Sequence, residues 1–238
     1  MSGYITLTRQ MGLFQEMQSV ANNLANMSTS GYRKEGLIFS EVIQRTDGPD
    51  GSVSMGAARV RNTNLDQGPL THTSGQLDFA IEGPGFFQVE TPDGVRMTRA
   101  GAFLANGAGE LVTPDGHRVL DAGGAPIFIP PQAKSIGLAD DGALSADGVP
   151  IAQIGLVQPL DLKSLTRDTG VLFKTHTGVE PVLNTNLLQG FVEGSNVDPV
   201  LEVTRMIEVQ RSYEMGQSFQ DKEGDRLSKL IRVLGESR

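Results

Sequence analysis

The apolar residues of this chain keep helical spacing only at its two ends. Near the N-terminus Leu13, Met17, Val20, Leu24 and Met27 follow a 4-3-4-3 rhythm, the heptad seam of a helix that packs along one face. The spacing predicts a helix over about residues 4–27, with Phe14 and Ala21 widening the same stripe and Gly31 as the stop signal. At the other end Asp198 reads as a cap and Pro199 as a first helical residue, where its missing N–H costs nothing. From there Val203, Met206, Gln210, Tyr213, Gln217, Gln220, Gly224, Leu227, Ile231 and Leu234 alternate steps of three and four, until Gly235. Glu202–Arg205, Glu208–Arg211 and Asp225–Lys229 are spaced for intrahelical pairing, worth about 0.2–0.5 kcal/mol each.

Both seams carry amides where a packed helix would carry apolar side chains. Asn22, Asn23 and Asn26 crowd the last turns of the first arm, and Gln210, Gln217 and Gln220 occupy the middle of the second. Asparagine competes for local backbone hydrogen bonds and weakens a helix. Such a face is either an untidy terminus or one built to bury amides against another segment.

Between the arms the period changes. TPDGVRM at Thr91 and TPDGHRV at Thr113 are near-copies 22 residues apart, and each Pro-Asp-Gly stands between short strand-like runs, FFQVE and GELV. Proline presets φ and glycine supplies a positive φ, which is hairpin chemistry. ADDGALSADG at Ala139 continues the theme, and 29 glycines overall suit many tight turns. The reading is an α+β chain: N- and C-terminal helices forming a coiled-coil core element, with a mostly antiparallel β domain inserted between them. Its segments are a helical arm over 1–35, an extended connector over 36–74 that orders against a neighbour, a β domain over 75–190 and a second arm over 191–238. Two helices alone bury too little to be robust, so the arms are expected to complete their core with other chains. They are expected to order on docking.

Charge and composition exclude several classes. Residues 46–190 hold 16 acids against 9 bases, while the whole chain carries −8, so a basic groove for nucleic acid is not expected. There are no cysteines, hence no disulfide, thiolate metal site or cysteine nucleophile. No apolar run reaches the length of about 18 residues that spans a bilayer. The opening MSGYITLTRQMG lacks the layout of a cleaved secretory signal. His72, His117 and His176 have no metal-ligand spacing. GPGFFQ at Gly83 lacks the third glycine of a dinucleotide loop, and Asp140, Asp141 and Asp147 lack the ligand order of an EF-hand. These residues read as turns. No catalytic, cofactor or metal site is expected.

Three stretches together resemble one family: LTRQMGLFQEMQSVANNLANMSTSGYRKEG from Leu7, GQLDFAIEGPGFFQVETPDGVRMTRAGAFLANGAGELVTPDGHRVLD from Gly75, and LLQGFVEGSNVDPVLEVTRMIEVQRSYEM from Leu187. The chain is similar to the bacterial flagellar rod and hook proteins, whose terminal helices flank a β-rich domain. Its length and its opening Leu7-Thr8-Arg9-Gln10-Met11 resemble a proximal rod member; the distal rod protein has the same plan and is the alternative. Residues 122–190 follow the family pattern only loosely.

The resemblance implies a structural subunit without enzymatic activity. It would be exported by the flagellar type III apparatus without a cleaved signal and held in the periplasmic basal body. Its expected partners are copies of itself and other rod proteins, with no nucleic acid and no direct membrane insertion. It implies that the terminal helices line a hollow rod around an export channel. The seam residues named above are then the assembly interface, and their amides hydrogen-bond across helices or to channel water without adding charge. A soluble coiled-coil adaptor or adhesin is the remaining reading.

Overall fold

The computed structural model describes residues 2–45, 52–182 and 185–236. By contact the chain separates into two compact units, one made of residues 1–25, 35–64 and 198–238 and the other of residues 26–34 and 65–197.

The first unit is built from two helices and one hairpin. Helix α1 spans Ser2–Ala25 and helix α2 spans Pro199–Glu236. Asp198 caps α2 as its position predicts, its carboxylate accepting from the backbone N–H groups of Val200 at 2.9 Å and Leu201 at 3.2 Å. Strands β1 (Glu35–Arg45) and β2 (Ser52–Thr63) pair antiparallel from Glu35↔Thr63 to Arg45↔Ser52, with a bulge between Ile38 and Phe39. The sequence reading gave this stretch no periodicity, as an extended connector. A two-stranded ribbon has no third strand to shield either face, so nothing forces its sequence into strict alternation. Most of TDGPDGS, residues 46–51, lies outside the described residues.

The second unit is the predicted antiparallel β body. Strands β3 (Leu70–His72), β4 (Phe79–Glu82), β5 (Phe86–Thr91) and β6 (Gly94–Thr98) begin it, followed by the short β7 (Leu104–Ala105), β8 (Leu111–Val112) and β9 (Arg118–Val119). The two Pro-Asp-Gly repeats make the turns β5–β6 and β8–β9, with Gly94 at φ 104° and Gly116 at φ 86°. In the first, Thr91 faces Gly94 across a two-residue loop, and the Thr91 hydroxyl donates to the Gly94 carbonyl at 2.7 Å. Strand β5 is central: β6 lines one side, while Leu156–Pro159 and β9 share the other.

The core of this body joins Phe79, Phe87, Phe103, Leu111, Val119, Ile127, Leu144, Ile154 and Leu187. Phe87 and Phe103 meet edge to face at 5.2 Å between ring centres. Each fully buried side chain of this size contributes about 1.5–3 kcal/mol. The end of the body pairs back onto its beginning: Asn186–Gln189 lies against β4, and Phe191–Glu193 against β3 with Glu193 opposite Leu70. Such an arrangement lets a β domain be inserted between two terminal helices.

Candidate assembly site

Within the first unit α1 and α2 run antiparallel, held by contacts that march in opposite directions along the two helices. Asn23 on α1 donates to the Glu202 carboxylate on α2 at 3.0 Å. Seven residues earlier, Glu16 accepts from Arg205 Nε at 2.7 Å, and Gln10 lies against Gly216. Val20 and Val209 are buried. The stripe of α2 turned inward is Glu202, Met206, Val209, Tyr213, Gly216 and Gln220, all buried or half-buried.

This stripe shares alternate positions with the predicted seam. Met206, Tyr213 and Gln220 keep their place, but Val203, Gln210, Gln217 and Gly224 are exposed and the residue before each of the first three is the one turned inward. Seven-residue rhythms at adjacent offsets cannot be told apart when polar side chains occupy both. The side chains of Leu227, Ile231 and Leu234 lie outside the described residues. The pairing expected of Glu202 with Arg205 gives way to a longer reach, since Arg205 bonds both Glu16 and Glu208 while Glu202 is buried.

On α1, Val20 is buried and Leu13, Met17 and Leu24 are half-buried, as the seam predicts, whereas Met27 beyond the helix is exposed. Phe14 and Ala21 are also exposed; at 100° per residue they stand about a quarter-turn from the centre of the seam, on its flank. There Leu7, Met11, Phe14, Ala21 and Ala25 fall on a second heptad rhythm that the pair leaves uncovered. Helix α2 likewise leaves Val200, Val203, Ile207, Met215 and Phe219 outside the inward stripe, three of them more than half exposed. A groove of about 350 Å³ lined by Leu7, Gln10, Met11, Phe14, Gln15 and Tyr213 opens on the pair, and Gln10 Nε2 is buried without a hydrogen-bond partner. Contiguous apolar surface of this kind marks an interaction face.

The asparagines have separate fates. Asn23 is buried, and besides Glu202 it binds both backbone groups of Glu35, donating to the carbonyl at 2.8 Å and accepting from the N–H at 2.9 Å. Asn26 accepts from the Thr29 hydroxyl at 3.2 Å in the turn after α1, and Asn22 is exposed. Gln210 donates along its own helix to Glu214 at 3.1 Å.

The body unit carries a polar knot that the sequence reading did not single out. The Glu193 carboxylate, fully buried, receives Arg33 at 2.5 Å, Arg99 Nε at 2.8 Å and the Gly68 N–H at 2.8 Å. Arg99 also donates to the carbonyls of Gly85 at 2.7 Å and Gly83 at 3.0 Å. Burial pushes both guanidinium groups below their ordinary range, and Glu193 pulls against that shift. Arg167 stacks over the Tyr32 ring at 4.3 Å and donates to the Arg33 carbonyl. Gly31, at φ 69°, donates to the Glu193 carbonyl at 2.8 Å. The segments on either side of the β insertion, 31–34 and 193–197, are thereby fastened to the body. Arg33 and Glu193 stand without a helical pairing partner in YRKEG and FVEGS, which is the signal available to a reader of the sequence.

Among the described residues no group of His, Cys, Asp or Glu is arranged to hold a metal ion, and no helix is long and apolar enough to cross a membrane. Asp141 and Asp147 accept from backbone N–H groups of Ala143, Lys134 and Ser135 in their turns, and His72 packs edge-on against Phe191.

The chain is thus an α+β protein, a helical pair with a mostly antiparallel β body inserted in the sequence between its helices. The profile described as flagellar hook protein FlgE/F/G D1 domain matches residues 80–146, and the one described as flagellar basal body rod FlgEFG protein C-terminal matches residues 188–233. The chain is 39% identical to the flagellar basal-body rod protein FlgF of Caulobacter vibrioides, over 98% of this chain and 97% of that one. It is 36% identical to FlgF of Rhizobium meliloti, over 99% and 98%, and 30% identical to FlgG of Bacillus subtilis, over 92% and 93%. The chain belongs to the flagellar basal-body rod family.

Proposed function

We propose that this protein is a structural subunit of the flagellar basal-body rod, seated in its proximal part. The observation that carries the reading is the second apolar face on each terminal helix. A helix in a finished two-helix pair needs one apolar stripe, and α1 and α2 each present two. The outer stripes keep much of their apolar surface exposed within one chain, so neighbouring rod subunits are what they fit. Assembled around a hollow axis, the helices form the coiled-coil core that surrounds an export channel. Torque then passes from subunit to subunit through packed helices and body contacts, with no reaction catalysed. Higher identity to the FlgF than to the FlgG relatives supports the proximal position over the distal one. Copies of itself and other rod proteins are the partners, and the flagellar type III apparatus is the route to the periplasm.

The test places an acid on the outer stripes. Phe14→Asp combined with Met215→Asp removes apolar contact area from α1 and α2 and leaves every residue of the inner stripe unchanged. In the bacterium that carries this chain, swimming and completed hooks should be lost while the purified variant keeps the wild-type unfolding transition of its body. Wild-type motility in that variant would sink the reading.

A further inference from the structure

Apolar stripes with a seven-residue repeat do not choose one alignment. Sliding α1 along α2 by one heptad, about 10 Å, exchanges Leu13 for Val20 and Met17 for Leu24 and leaves the inner face nearly as apolar. Something else must select the register. A buried polar group does so in helical pairs, since every wrong alignment leaves it without partners.

We propose that Asn23 is the register-setting residue of the helical pair, its one amide bound by the backbone of Glu35 and the carboxylate of Glu202 so that α1, β1 and the first turn of α2 can meet in a single alignment. The side chain is 1% exposed. Its Oδ1 accepts from the Glu35 N–H and its Nδ2 donates to the Glu35 carbonyl, as a paired strand would. The same Nδ2 reaches Glu202 Oε2 at 3.0 Å, and the Ser19 hydroxyl adds a bond to the Glu35 carbonyl at 3.1 Å. Glu35 opens β1 and Glu202 sits in the first turn of α2, so both partners are fixed in the chain. A shift of α1 by any number of residues breaks all of these bonds together. Asparagine alone offers donor and acceptor at this reach: aspartate cannot donate, and leucine does neither. The Glu16–Arg205 contact is the other candidate for setting register. Arg205 is half exposed while Glu16 is buried; a long, half-solvated arginine can follow Glu16 over a range of positions, whereas the short Asn23 side chain cannot.

This inference rests on the rod reading for its purpose, because the register decides which apolar residues the pair turns outward to a neighbour. Its test is independent of assembly. The chain has no cysteine, so Gln18→Cys and Arg211→Cys on the outer faces give a unique spin-label pair in the full-length protein. Double electron–electron resonance should show one narrow distance in the parent and after Glu16→Gln. Asn23→Leu, with helicity by circular dichroism unchanged, should add a second population displaced by about one heptad or broaden the distribution to that extent.

An unchanged narrow distance in Asn23→Leu overturns the proposal. So does a parent chain with no defined distance, an outcome that leaves the rod reading standing with alignment imposed by neighbours. If Asn23→Leu does not yield soluble protein, Asn23→Ala is read the same way. Loss of folding in both, with Glu16→Gln folded, overturns a role confined to register.

Discussion

Arg99 Nε lies 2.8 Å from Glu193 Oε2, the two residues 94 positions apart in the chain and both side chains cut off from solvent. Arg33 closes on the other oxygen of the same carboxylate. One acid thus faces two buried guanidinium groups, and carbonyls of Ile81, Gly83, Gly85 and Asp66 take further donors, while Arg33 Nε is buried without a hydrogen-bond partner. Removing the acid strands both cations. Glu193→Gln should cost about 3–5 kcal/mol, read as a drop in the denaturant midpoint of the full-length protein. A loss under 1 kcal/mol would mean the knot does little for stability.

Gly31 tests the same region through the backbone. Its φ is 69°, and a Cβ built there would stand 2.2 Å from the Ala100 N. Gly31→Ala should therefore destabilise the body by about 2 kcal/mol or more, combining left-handed strain with a clash against main chain that cannot swing aside. Equilibrium unfolding in urea measures it.

Asp168 gives a dependence on pH. Hydrogen bonds from Lys174 at 2.7 Å and Arg96 at 2.6 Å hold its carboxyl below the usual carboxylate range. A folded-state pKa below the unfolded value of about 3.9 contributes stability that is present above that pH and lost as pH falls through the folded value. Wild type should exceed Asp168→Asn in stability at pH 7, and the gap should close under strong acid. A gap that persists when both are unfolded well below pH 3 would assign the difference to packing instead.

The amides separate by where the structure puts them. Asn23→Asp places a second carboxylate against buried Glu202, and should weaken the isolated subunit in thermal unfolding. Gln217→Glu lies on an exposed position and should leave the subunit unchanged while impairing swimming, as expected of a neutral surface facing other helices or a channel. Loss of subunit stability in Gln217→Glu would remove it from the assembly face.

Much of the architecture was legible in the chain alone. Heptad spacing located both helices, Asp198 and Pro199 started α2 where they should, and the two Pro-Asp-Gly repeats gave their hairpin turns, because each of these is decided by residues within one or two turns of each other. Helical period also gave the inner face of α1 through Val20. It could not give the facing stripe of α2, where a one-residue offset separates Val203 from Glu202 and Gln210 from Val209. That choice is made by what stands opposite, Asn23 and Glu16 on another helix far away in sequence. The same holds for β1 and β2, whose pairing needs no alternation, and for Glu193, whose partners come from residues 33, 68 and 99. Helices and tight turns were readable along the chain, since those preferences are local. Only the tertiary structure decided which faces are spent inside the subunit and which remain outward, because burial depends on contacts between distant parts of the chain.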